Sequence, residues 1–149
     1  GQLTSWEQHP RGRLALIVLL DQFSRNIYRG TAQAFAQDEL ALSLCLQGID
    51  IGHDLALRPI ERTFHYLPME HAESLEMQDK SVQHRRQLVA SLPPAMAKKS
   101  QFSLDLAISH RDIIARFGRF PHRNRLLGRV STAAEREYLS QGGATFGQE

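Results

Sequence analysis

The sequence predicts an all-α fold of antiparallel helices joined by short turns, on three observations. Its 20 Leu and 15 Ala outnumber 8 Ile and 4 Val, so good helix formers dominate the β-branched aliphatics that favour sheets. Apolar residues recur at helical spacing in several stretches. Proline opens many of these stretches and glycine closes many of them, as the stereochemistry of helix ends requires. The 149 residues read as one helical domain, long enough to bury about 70% of the surface of the unfolded chain.

Taken in order, Pro10 precedes a helix over 12–26 whose run Leu14-Ala15-Leu16-Ile17-Val18-Leu19-Leu20 is apolar all round and belongs in an interior layer. A second helix is expected over 34–47, with Leu40 and Leu44 in register and Gly48 as its C-terminal stop. Residues 49–58 connect it to a short helix started by Pro59 and running to Tyr66. Pro68 then opens a longer helix to about Leu92, with Leu75, Val82 and Val89 seven residues apart. Pro93-Pro94 ends it. The stretch 93–100, with Lys98-Lys99 and no apolar period, is expected to be a mobile loop. A helix over 103–117 ends at Gly118 and a short one over 121–127 ends at Gly128. Thr132 with Glu135 forms a capping box for a last helix to Ser140, beyond which Gly142-Gly143 releases a frayed tail.

Composition removes several classes of function. Cys45 is the single cysteine, which excludes an intrachain disulfide and a multi-cysteine zinc site, and it reads as a buried small hydrophobe. The longest apolar run is far short of the ~20 residues that span a membrane, and no basic-then-apolar leader opens the sequence. A cytoplasmic protein without a membrane partner is the expectation. Gly-rich phosphate loops, a nucleophile elbow, HExxH and EF-hand spacings are all missing, so no cofactor and no metal is expected.

Three constellations carry polar chemistry. Asp21 lies on the same helical line as Leu14, Ile17, Val18 and Arg25, so a carboxylate sits on an apolar stripe with a guanidinium four residues on; a buried ion pair should result. In His65-Tyr66-Leu67-Pro68-Met69-Glu70-His71-Ala72-Glu73, a helix opening at Pro68 places Glu70, His71 and Glu73 in its first turn, with His71 turned inward. Between Asp112 and Glu135 there is no acid, whereas Arg116, Arg119, Arg123, Arg125 and Arg129 accumulate with His122 and Asn124 among them. Residues 59–79 mirror this with five acids against Arg62, so part of the basic cluster should pair internally and the rest should remain to hold an anion. His110 shares a stripe with Leu106, Ile113 and Phe117 and so faces inward.

At these residues the chain resembles a bacterial family known as domain of unknown function 924. The matching blocks are Pro10-Arg11-Gly12-Arg13-Leu14-Ala15-Leu16-Ile17, Leu20-Asp21-Gln22-Phe23 with Arg25-Asn26, Arg29-Gly30-Thr31, Tyr66-Leu67-Pro68 with His71 and Glu73, His110-Arg111-Asp112-Ile113-Ile114, and Arg116-Phe117-Gly118-Arg119-Phe120-Pro121-His122-Arg123-Asn124 followed by Gly128-Arg129 and Ser131-Thr132. The resemblance implies an all-helical, tetratricopeptide-like superhelical arrangement of helix pairs and brings no activity, substrate or cofactor. Ser24 stands where the family carries proline, and Val130 where it carries an acid. The family pattern begins several tens of residues earlier, so a helical N-terminal segment is expected to be missing here.

These readings converge on a helical ligand-binding or interaction domain whose site gathers Arg25, Asn26, His71, His110, Arg119, His122, Arg123 and Asn124 around an anionic group. The partner would be a small anionic ligand or an acidic peptide. An enzyme on the same site is the alternative, with His71 or His122 as general base, Glu73 as orienting carboxylate and hydrolase-like acid–base chemistry. Nucleic-acid binding is weakened by a net charge of only +2. A homodimer would be one way to cover an exposed face of the first helix.

Overall fold

The structure, a computed structural model, describes residues 3–147 and holds no strand among them; Gly1 and Gln2, where the leader was sought, and the last two residues of the tail lie outside the described residues. Helix α1 (Pro10–Val18) starts on proline, whose missing N–H is not needed in a first turn. It continues into a wider π-helical turn, Leu19–Phe23, and a last turn, α2 (Ser24–Ile27). The helix expected over 12–26 is therefore present but not uniform. The wide turn inserts extra backbone into the ladder and so re-aims the side chains after it, and it carries Asp21 and Gln22.

Helix α3 (Asp38–Asp50) contains Gly48 instead of stopping at it. A Cβ at Gly48 would lie 2.7 Å from Arg13 Cδ and 2.7 Å from His65 Cε1, so this glycine allows close packing against α1 and against α4 (Pro59–His65). The left-handed turn falls instead at Gly52, with φ 72°.

The long helix expected from Pro68 is two helices, α5 (Leu67–His71) and α6 (Leu75–Ala90). Ala72 turns to extended backbone, and the Ser74 hydroxyl accepts from Met77 N–H at 3.5 Å to start α6. Gln78 Nε2 donates to the carbonyls of Glu70 and Ala72 at 2.6 and 2.8 Å, taking up acceptors that the broken helix leaves open. Glu73 then leaves the helical path and reaches the arginine-rich segment.

Residues 94–100, expected in a mobile loop, form the first turns of the 24-residue α7 (Pro94–Phe117), with Pro94 in its first turn. The paired prolines end α6 and start α7, and the two helices pack as a long antiparallel pair. Gly118 stops α7 in the left-handed conformation, φ 70°, as its sequence position predicts. Pro121–Arg123 is a single 3-10 turn, shorter than the helix expected there. Helix α8 (Ala133–Ser140) carries the expected capping box of Thr132 and Glu135.

Three apolar clusters hold these elements: Leu16, Ile17, Leu44, Cys45, Tyr66 and Met69 between α1, α3 and α5; Val82, Leu104 and Ala107 between α6 and α7; and Ile113, Ile114 and Phe120 at the end of α7. Phe117, Tyr138 and Phe146 pack on the last, so the tail after α8 folds back instead of fraying. The polar site lies where the π turn, α5, α7 and this tail meet.

Candidate anion site

A cavity of about 220 Å³ opens at that junction. The π turn and α2 supply Gln22, Arg25 and Asn26, and Arg29 follows just after α2. The last residue of α5 brings His71, the middle of α7 brings His110, and the 3-10 turn brings His122 and Arg123. Phe146 of the returning tail forms a wall.

Asp21 is 1% exposed and sits behind this cavity. Its Oδ1 accepts from His71 Nδ1 at 2.6 Å and lies 3.4 Å from Arg25 Nη1, and its Oδ2 accepts from Gln22 Nε2 at 2.6 Å. Burial alone would raise its pKa, but the His71 imidazole and the Arg25 guanidinium outweigh burial and hold the carboxyl well below the usual carboxylate range. Arg25 spends both terminal guanidinium nitrogens on Asp38, at 2.7 and 2.9 Å.

Arg123 is buried, with its guanidinium 4.4 Å from the centre of the Phe120 ring and 4.7 Å from that of Phe35. Its Nη1 lies 3.6 Å from Asp38 Oδ2, and its buried Nε has no hydrogen-bond partner. Burial, with Arg25 beside it, pushes its pKa down to about 10, so it stays charged at neutral pH. Arg29 is exposed and donates from Nη2 to Asn26 Oδ1 at 3.0 Å and from Nη1 to the carbonyl of Gly147 at 2.6 Å.

The two deeper imidazoles are neutral. His110 donates from Nδ1 to the Leu106 carbonyl at 2.9 Å and stacks on Phe146 with 3.6 Å between ring centres. Burial, then the neighbouring His71, pushes its pKa down to about 3. Burial and Arg123 push His122 down to about 4, and its buried Nδ1 is without a partner.

Six of the residues expected from the sequence thus line one cavity: Arg25, Asn26, His71, His110, His122 and Arg123. Arg119 and Asn124 do not. Arg119 donates from Nε and Nη2 to the two Glu135 oxygens at 2.7 and 2.9 Å, and Asn124 Nδ2 reaches the same carboxylate at 3.2 Å. The Arg119 pair, together with the capping box, holds Glu135 down to about 2 against the effect of burial. Glu73 also lies outside the cavity, accepting from Arg129 at 2.6 and 2.9 Å and from the Phe120 N–H at 2.8 Å. The carboxylate that orients His71 is Asp21. Phe146 was not legible as a cavity residue, because only the return of the tail brings it there; Arg29, three residues after Asn26 and bonded to it, was within reach of local spacing.

Glu70, His71 and His110 offer three ligand atoms within 4.8 Å of one another, a spacing a metal ion could use. Glu70 is already committed, however, with Oε2 2.7 Å from the buried Arg85 guanidinium. Arg25, Arg29 and Arg123 crowd the same cavity, so its field favours an anion over a cation. A second, apolar cavity of about 500 Å³ runs beside it, walled by Ile60, Phe64, Met96, Phe102 and Leu106, with Gln22 common to both.

Comparison with known proteins adds a family. The family described as bacterial protein of unknown function, DUF924, matches residues 1–143. The chain belongs to that family. A solved structure of a protein of unknown function from Agrobacterium tumefaciens is 41% identical and superposes with a TM-score of 0.83, over 95% of this chain and 74% of that one. No curated protein matches. For this DUF924 member, chemistry has therefore to be argued from the cavity, and no described helix is long and apolar enough to cross a membrane.

Proposed function

We propose that this DUF924 chain binds a small anionic ligand, through a phosphate or carboxylate group, in the cavity between the π turn and the Pro121–Arg123 turn. One observation carries the reading: the lining combines Arg25, Arg29 and Arg123 with Asn26 and no carboxylate. An anion accepts from several guanidinium and amide donors at once. The small volume favours a compact ligand over a peptide.

Inorganic phosphate tests this. At tenfold excess over its dissociation constant it stabilises the folded state by about 1.4 kcal/mol, and the melting temperature rises by about 4 °C over chloride at equal ionic strength. Arg29→Ala, at an exposed position, removes most of that rise. Because phosphate also stabilises proteins by exclusion from their surfaces, an equal rise in wild type and variant refutes the pocket.

Catalysis on the bound anion is a second reading, favoured by the 2.6 Å Asp21–His71 hydrogen bond. A carboxylate holding one imidazole nitrogen leaves the other nitrogen basic and oriented. A nucleic-acid role draws less support, since Arg119 and Arg129 of the basic segment are spent on Glu135 and Glu73.

A further inference from the structure

His71 lines the anion cavity, and its Nδ1 donates to the buried Asp21 carboxylate at 2.6 Å. Asp21 is ionised and can only accept, so the proton between them sits on His71 Nδ1. In the neutral ring the lone pair is on Nε2, at the ring edge away from Asp21, and Nε2 makes no hydrogen bond to a described residue. No hydroxyl, thiol or carboxylate lines the cavity. His110 and His122, pushed down to about 3 and about 4, are weak bases and weaker nucleophiles. Nucleophilicity and cationic anchoring meet at His71 Nε2.

We propose that the cavity is a phosphoryl-transfer site in which His71 Nε2 accepts the phosphoryl group of a small acyl phosphate held by Arg29 and Arg123, with Arg25 adding positive charge. This rests on the anion-site reading above. The Nε2 lone pair attacks phosphorus, an Nε2–P bond forms, and the P–O bond to the acyl group breaks with its electron pair leaving on a carboxylate. The Nδ1 proton stays between His71 and Asp21, whose negative charge balances the phosphorylated, positively charged ring. A water molecule then attacks phosphorus and loses a proton to solvent. The N–P bond breaks with its pair returning to Nε2, and inorganic phosphate leaves.

The substrate class follows from what the cavity lacks. With His110 and His122 neutral, no side chain there is poised to protonate an alkoxide, so a leaving group that departs as a carboxylate suits the site. The arginines supply charge stabilisation where it develops, and about 220 Å³ admits a small acyl phosphate but is below the range of drug-sized ligand pockets. Asp21 acts through His71 and is a positioning residue.

The test uses the full chain and acetyl phosphate, with rapid quench and intact and peptide mass spectrometry. The expected result is a phosphoryl adduct on His71, stable in base and lost in acid, forming much faster than any adduct on the exposed His9 and blocked by inorganic phosphate. Asp21→Asn slows adduct formation by roughly 10- to 100-fold and shifts its pH profile, which a merely structural role of Asp21 would not do. If wild type is modified at His71 no faster than at His9 while phosphate still raises its melting temperature, the phosphoryl-transfer proposal is overturned and the anion site stands. If the melting temperature does not respond either, both readings fall. Release of acetate and phosphate without an adduct at any quench time makes His71 a base for water and overturns the covalent step.

Discussion

A carboxylate as deeply buried as Asp21 needs compensation on both oxygens, and it has it: His71 and Arg25 face Oδ1, and Gln22 donates to Oδ2. Asp21→Ala leaves His71 and the buried Arg25 with one acceptor fewer, and should destabilise the protein by about 3 kcal/mol. A shift below about 0.5 kcal/mol in chemical denaturation, the range of ordinary surface substitutions, would place Asp21 outside the buried network. The pH dependence has a definite sign. His110 and His122 are held below their ordinary value of 6.5, so the stability they confer as neutral groups is complete above pH 6.5. It is lost as pH falls towards about 4 and then about 3. Asp21, lowered as well, contributes above the ordinary aspartate range and loses its share at still lower pH. The urea midpoint should therefore fall steadily from pH 7 to pH 4, and His110→Asn should flatten part of that slope.

Among elements, the parts governed by local stereochemistry were legible in the sequence and the parts governed by distant partners were not. Gly118 as a stop and the Thr132–Glu135 capping box depend on neighbours along the chain, and both are found where expected. Gly48 reads as a stop for the same local reason, yet Arg13 and His65 pack so closely on it that the glycine serves an interhelix contact. Gly48→Ala tests this: overpacking of about 1–3 kcal/mol should exceed the helix-propensity gain of about 1 kcal/mol, so the melting temperature drops. A rise would show that the contact yields. The break at Ala72 was hidden because its cause is Glu73, drawn to Arg129 and the Phe120 N–H from across the molecule. Ser74→Ala should cost about 1 kcal/mol by removing the cap of α6, measurable by denaturation. The π turn gave no signal, since residues 19–23 are ordinary apolar and polar helix formers.

At the scale of the whole molecule, the excess of arginine over acid in 113–134 is only partly neutralised from nearby in sequence. Arg123 lines the cavity with Asp38 3.6 Å away. Arg119, its neighbour in sequence, is held in a bidentate pair by Glu135, sixteen residues on. Phe146 gives no such signal, because its place depends on the tail returning to α2, where Gly147 accepts from Arg29. The apolar groove lies between α4 and α7, away from the face of the first helix expected to be exposed, and leaves Phe102 71% and Ile60 59% exposed. A hydrophobic dye should bind there, and Phe102→Ser with Ile60→Ser should remove most of its fluorescence; unchanged fluorescence would place the dye elsewhere.

An anion held by Arg29 and Arg123 beside His71 should be visible in a crystal structure of the protein soaked in phosphate. Tetrahedral density is expected in the cavity, within hydrogen-bond distance of Arg29 and Arg123 and next to the His71 ring. Phosphate bound at exposed lysines or arginines, with only water among these residues, would contradict it.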